Sequence, residues 1–400
     1  MNHGTKNSLV HDRFVINQFF PKLFSFIFVM FLSIPVSAAD GLTLLQEIKD
    51  GDPGVELKDH VTTIVPVGDF VYFGIEYQGI IKCFKRDPAT GKLAFVADTK
   101  WGAEHDSIEL CLAVGRLYGV GGAGHRTGDG DSRGLHWWEI DPKTGSLTEK
   151  GKQDVPIAKG ILASPDGKSL YLLHKLKGTI AHFTVAADGA PTHADDAVFK
   201  DAKGEISALT ASPDGKSLYV LWAGDTYFVG QASVGANGAL AIQPTVELPQ
   251  LTEGVTFPRA KWGWGWGRSL FLSPDGAHAY VEFCTYGGKD IHLALCDRDS
   301  KTGALTYKQR VDEKTGARMV RLDTVFEPDG AKGYFTSSSE SSGNVAGWFS
   351  RDPKTGLLEF GGAVKETKGS GPCCLALDSK NGVLYVGTWS KKNIYVLKTK

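Results

Sequence analysis

Four hundred residues, 42% hydrophobic and 22% charged, are enough to bury a full core, which excludes disorder as the dominant state. Forty-four Lys and Arg against 45 Asp and Glu leave a net charge of −1, so nothing electrostatic points to nucleic acid or an anionic membrane as a partner. Forty-nine glycines and 17 prolines, with 21 Phe, 12 Tyr and 9 Trp but only 3 Met, predict tight turns between short strands and exclude a long-helix protein.

The chain opens with Lys6, Arg13 and Lys22 ahead of an apolar run at 23–36 that ends in the small residues Ser37, Ala38 and Ala39. This is the pattern of a secretory signal peptide cleaved near Ala38 or Ala39. The run is shorter than the ~20 apolar residues a membrane-crossing helix needs. Residues 1–38 are therefore expected to be a signal peptide and 39–400 an exported protein, periplasmic or extracellular, with no stable membrane span after cleavage. Cys83, Cys111, Cys284, Cys296, Cys373 and Cys374 all follow the cleavage site. An exported protein can keep disulfides, but spacing does not choose a pairing, and a core of this size does not need them.

Beyond the leader, two nearly identical stretches, 163–172 (ASPDGKSLYL) and 211–220 (ASPDGKSLYV), recur as 272–281 (LSPDGAHAYV) and 326–335 (FEPDGAKGYF), and more loosely as 377–386 (LDSKNGVLYV). Shortened versions end at Tyr72 and Tyr118, so the tyrosines Tyr72, Tyr118, Tyr171, Tyr219, Tyr280, Tyr334 and Tyr385 mark seven repeats, 46 to 61 residues apart. A second turn falls within the period, at 87–91 (DPATG), 141–145 (DPKTG), 299–303 (DSKTG) and 352–356 (DPKTG). In it Asp bonds the backbone ahead, Pro sets φ, and Gly supplies the positive φ that returns the chain to a strand. Each repeat thus reads as strand a, Pro-Asp-Gly turn, strand b with its Tyr, loop, strand c, second turn, strand d. The fold class is all-β, a seven-bladed β-propeller of four-stranded antiparallel blades. The seventh blade runs out after strand c, and 40–47 (DGLTLLQE) resembles the turn and strand d of 355–360 (TGLLEF). The N-terminal strand is expected to complete that blade and close the ring, which removes an exposed edge.

Repeated S-P-D-G-K-x-L-Y-V stretches combined with D-P-x-T-G-x-L turns resemble the seven-bladed lactonase family, which includes 6-phosphogluconolactonase-type and carboxymuconate-lactonizing propellers, over residues 40–400. The resemblance implies a metal-free, cofactor-free site at the channel mouth that hydrolyses or forms a lactone, built from His, Arg and acidic groups. None of the family's catalytic residues aligns one by one with this chain, so no role is transferred. Phosphorylated sugar lactones are cytosolic metabolites, so export argues against one as the substrate.

Both repeated turns decorate one face of the disc, and residues that vary between blades belong on the other, where strand a enters the channel. His105, flanked by Glu104 and Asp106, is the candidate base, with Arg268 and Arg321 as oxyanion or carboxylate partners and Glu104 as a supporting acid. Lys159, Glu205, His125 and His174 are candidate ligand contacts, and Asp59, His60, Glu76 and Glu282 fall in the same connections and loops. Counting back from the tyrosines puts Lys159, Arg268 and Cys373 at equivalent positions. Trp262, Trp264 and Trp266 alternate with glycine, so an extended backbone would align three indoles as a platform for a sugar or aromatic ring. Adjacent Cys373 and Cys374 read as two free thiols, one facing the channel and one the neighbouring blade, because bonding them would strain the chain. Asp129-Gly130-Asp131 begins like a calcium loop but has Ile140 at the twelfth position, so no metal site is expected. The two functions the sequence supports are an exported lactonase using His105, Arg268 and Arg321, and a non-catalytic propeller that binds carbohydrate or a protein partner through its tryptophan-rich rim.

Overall fold

The computed structural model describes residues 41–76, 78–102, 106–123, 134–174, 178–202, 206–223, 226–251, 269–284, 291–311, 323–336, 344–365, 371–389 and 391–400. The chain divides into two compact units, 1–37 and 38–400, and the first lies outside the described residues. The second holds seven four-stranded antiparallel sheets, each built in chain order from strand a to strand d. The a strands are Val61–Val67, Asp106–Ala113, Ala158–Ala163, Ile206–Ala211, Leu270–Leu272, Thr324–Phe326 and Pro372–Asp378, and they define blades 1 to 7. Neighbouring a strands contact one another from blade 6 through blade 7 and on round to blade 5, and blades 5 and 6 join through Phe271, Tyr280, Phe326 and Phe349. Thr43–Ile48 pairs antiparallel with Ile394–Lys398 as strand d of blade 7, so the ring closes as the sequence predicts. Among the described residues no helix is long and apolar enough to cross a membrane.

Apolar side chains alternate along each blade and fill the seams between neighbours; one seam gathers Val61, Phe73 and Phe84 of blade 1 with Tyr385 and Val396 of blade 7. Most of the recurring tyrosines are struts across these seams. Tyr72, Tyr118, Tyr219 and Tyr280 are fully buried, and each hydroxyl donates to the turn-glycine carbonyl of the next blade, at Gly145 (2.8 Å), Gly189 (2.7 Å), Gly303 (2.7 Å) and Gly356 (2.6 Å). A second device uses the arginine that precedes the second turn. Arg298 reaches back to Asp214 of the preceding blade's Pro-Asp-Gly turn (3.3 Å), and Arg351 reaches Asp275 (2.8 Å). Arg86 pairs with Asp378 and ties blade 1 to blade 7. The repeated motifs are therefore seam fasteners as well as turns, and their bonding to one another puts both turn types on one face.

Candidate active site in the channel

Four a strands carry a β-bulge just inside their first residue, leaving Thr62, Lys159, Ser207 and Cys373 without a register partner. A bulge re-aims the side chain of the extra residue, and here it does so at the channel end opposite the repeated turns. Lys159 and Cys373, equivalent by their distance from the tyrosines, are equivalent in this geometry too. Lys159 is half-buried and follows Ala158, which lies opposite the buried His174 in register. The structure thus brings two sequence candidates, Lys159 and His174, to the same end of blade 3. His105, Glu104, Arg268, Arg321, Glu205, His125, Trp262, Trp264 and Trp266 lie outside the described residues.

What the described channel contains is chiefly acid. Glu109 sits in the a strand of blade 2, where Ile108 and Leu110 pack toward blade 1 and Cys111 packs toward blade 3. Strand alternation turns Glu109 to the same side as Cys111, toward Lys159. Burial pushes its carboxyl up to about 8, the charges of Asp323 and Glu76 push the same way, and Lys159 pulls against them. Asp323, at the start of the a strand of blade 6, is pushed up to about 6 by burial, held down by the N–H groups of Leu375 and Thr324, and raised by Glu282. Its Oδ2 accepts the Leu375 N–H of blade 7 at 2.8 Å, so this carboxyl also bridges two blades.

Two further acids complete the wall. Glu282 is 1% exposed and accepts from the Ser269 backbone N–H (3.2 Å) and hydroxyl (2.8 Å). Glu76 is 6% exposed, with its Oε2 3.2 Å from His60 Nδ1. The other ring nitrogen of His60 lies 3.4 Å from Asp59, and the ring stacks on Trp389 of blade 7 at 4.3 Å and 25°. A buried carboxylate on one nitrogen and a stacked indole orient this imidazole, and Asp59 beside the other nitrogen would stabilise the ring once it takes up a proton. His60–Glu76, Glu109 and Lys159 stand on three consecutive blades. Asp323 and the cysteine pair stand on blades 6 and 7. Among the described residues no group of three or more His, Cys, Asp or Glu side chains is arranged to hold a metal ion.

In the sequence His60, Glu76 and Glu282 stand out only as residues of the right connections, and Glu109 and Asp323 do not stand out as members of any motif. The signal for Glu109 was present: Ile-Glu-Leu-Cys-Leu at 108–112 places one acid in an otherwise apolar inner strand. An unneutralised carboxylate there is costly unless its proton stays on. The cysteines differ from expectation. Both Cys373 and Cys374 pack against the seam with blade 1, because the bulge cancels the alternation that would have separated them.

No family model matches the sequence, and no curated protein matches it. Solved structures share the fold. A Bacteroides uniformis protein provisionally assigned as a 6-phosphogluconolactonase is 19% identical, with 82% of this chain and 98% of that one covered at a TM-score of 0.59. The periplasmic gluconolactonase PpgL of Pseudomonas aeruginosa is 16% identical, covering 82% and 97% at 0.57. Hydrazine synthase of Kuenenia stuttgartiensis is 14% identical, covering 88% and 99% at 0.60. Propellers carrying such different names share this scaffold, so the likeness establishes architecture, and the chemistry has to be argued from the site.

Proposed function

We propose that the chain is a lactone hydrolase that opens a small, uncharged sugar lactone or related cyclic ester at the channel mouth, in an exported protein. The feature that carries this reading is Glu109: a half-buried carboxyl in the inner strand of blade 2, pushed up to about 8 by burial and neighbouring acids, on the side that faces Lys159 and next to the blade that holds the His60–Glu76 dyad. Such a pairing of a neutral acid with a separate oriented base is what ester cleavage at pH 7 needs. The likeness to a gluconolactonase agrees with it but contributes only the fold.

In this reading His60 takes a proton from water through Nε2, the nitrogen beside Asp59, whose charge steadies the imidazolium that forms, while Glu76 holds Nδ1. The water oxygen bonds to the lactone carbonyl carbon, and the negative charge that develops on the carbonyl oxygen is met by the Lys159 ammonium. As the ring C–O bond breaks, the neutral Glu109 gives its proton to the departing oxygen. The imidazolium then returns its proton to Glu109 through solvent. The product is a hydroxy-carboxylate, which Glu76, Glu282 and Asp323 repel, favouring release. The same acids disfavour a phosphorylated lactone, consistent with a substrate met outside the cytosol.

The test is hydrolysis of a panel of aldonolactones and muconolactones by the purified protein. His60→Ala and Glu109→Gln are each expected to lower kcat by about 10²–10⁴-fold. Absence of turnover on every lactone, or unchanged rates in both variants, overturns the proposal.

A further inference from the structure

We propose that Cys373 and Cys374 are an oxidisable vicinal dithiol, a modification site in the channel wall that closes to a disulfide under a two-electron oxidant such as hydrogen peroxide. Neighbours in a regular strand point to opposite faces, which would keep their sulfurs apart. Here the bulge removes that constraint. Pro372 is opposite Thr388 and Cys374 opposite Gly387, so Cys373 is the extra residue. Both cysteines then pack against the seam around Val61, whereas Leu375 packs on the other side of the blade with Leu384 and Val386.

The two sulfurs converge on one acceptor. Cys373 Sγ lies 3.1 Å and Cys374 Sγ 3.4 Å from the carbonyl oxygen of Val61. The two thiols also act on each other: the neighbouring Cys373 thiol is the largest cause of the raised pKa of Cys374, ahead of burial and of the Asp323 and Glu109 charges. Space for the pair comes from Gly387 on strand b, where a Cβ would stand 2.7 Å from Cys374 Sγ and 2.6 Å from Val61. Adjacent Cα atoms are about 3.8 Å apart, short of the roughly 4.4–6.8 Å usual for disulfides, so closure requires a local backbone shift. The bulge residue is the one with no register partner, so that shift breaks the ladder least.

Exposure orders the steps. Cys373 is half-buried and Cys374 is 7% exposed, so the oxidant meets Cys373 first. The Cys373 thiolate attacks one peroxide oxygen, the O–O bond breaks, and the departing hydroxide takes up a proton as water, leaving a sulfenic acid. Cys374 sulfur then attacks Cys373 sulfur, the S–O bond breaks, and the released hydroxide carries off the Cys374 proton as a second water. Two thiols are oxidised and one peroxide is reduced to two waters.

The readout is mass, so it does not depend on the lactonase reading. The full-length protein is treated with peroxide, denatured, alkylated and digested. The peptide spanning 373–374 is expected to lose two hydrogens and to escape alkylation at both sulfurs, and dithiothreitol should restore both. Before oxidation the protein is expected to bind one equivalent of phenylarsine oxide, a dithiol probe, with Cys373→Ser and Cys374→Ser each losing it while keeping the β-sheet circular dichroism of the parent. Alkylation of both cysteines after oxidation, separate sulfinic acids without loss of two hydrogens, or arsenical binding no tighter than in either serine variant would overturn the proposal.

Discussion

Replacing Glu109 with Gln should stabilise the protein, by an amount that grows with pH. The folded carboxyl titrates near 8, against an ordinary value of 4.5. Below pH 4.5 the group is protonated folded and unfolded, and contributes nothing to pH dependence. Between 4.5 and 8 the unfolded chain releases this proton and the folded protein keeps it, so stability falls as pH rises, and above 8 the loss is complete. At about 1.4 kcal/mol per pKa unit, that interval corresponds to a penalty on the order of 5 kcal/mol. Gln keeps the shape and cannot ionise, so Glu109→Gln is expected to match the parent near pH 4.5 and to exceed it by that order near pH 8. Equilibrium urea unfolding at the two pH values, with m unchanged, measures the difference. A variant equal to or less stable than the parent near pH 8 would refute the reasoning, because it would mean that Glu109 is solvated or firmly ion-paired.

Other outcomes follow from the seams. Arg351 is fully buried and donates to Tyr280 Oη at 3.2 Å and Asp275 at 2.8 Å, and Asp275 is partly exposed so water can take up its charge. Arg351→Met should therefore cost about 3 kcal/mol in urea unfolding, the low end for breaking a buried pair. Blade 4 has Val234 where blades 5 and 6 have Arg298 and Arg351, and a groove of about 710 Å³ opens there, lined by Asp166, Tyr171, Gly215 and Val234. Val234→Arg should fasten this seam and raise Tm, whereas in Asp166→Asn the same arginine should give little gain. His278 is held below its ordinary value by burial and then by Arg351. Its lowered folded pKa means stability is lost as pH falls through the ordinary histidine range, and Arg351→Met should weaken that acid dependence.

The fold was legible because turn chemistry repeats. Seven tyrosines, Pro-Asp-Gly turns and a missing fourth strand at the C-terminus are local patterns, and the closing strand at 43–48 followed from counting what blade 7 lacked. The partners of those motifs were not legible, since Tyr72 bonding Gly145 or Arg298 reaching Asp214 depends on which blades become neighbours. The bulges were hidden for the same reason: the extra residue shows only against its partner strand, and it alone puts Cys373 and Cys374 on one side. Nor does sequence reveal that Glu109 and Asp323 share a channel, because they are far apart in the chain and neither belongs to a motif. In the sequence, charge clusters instead around His105 and the arginines, away from these two acids.

The pH–rate profile of lactone hydrolysis by the parent protein and Glu109→Gln tests the account most directly. If Glu109 is the neutral acid of the site, parent activity falls as pH rises through about 8, where that proton is lost. The variant should then be slower by about 10²-fold or more and lack that alkaline limb. A parent profile without a fall near pH 8, or one that Glu109→Gln leaves intact, would contradict it.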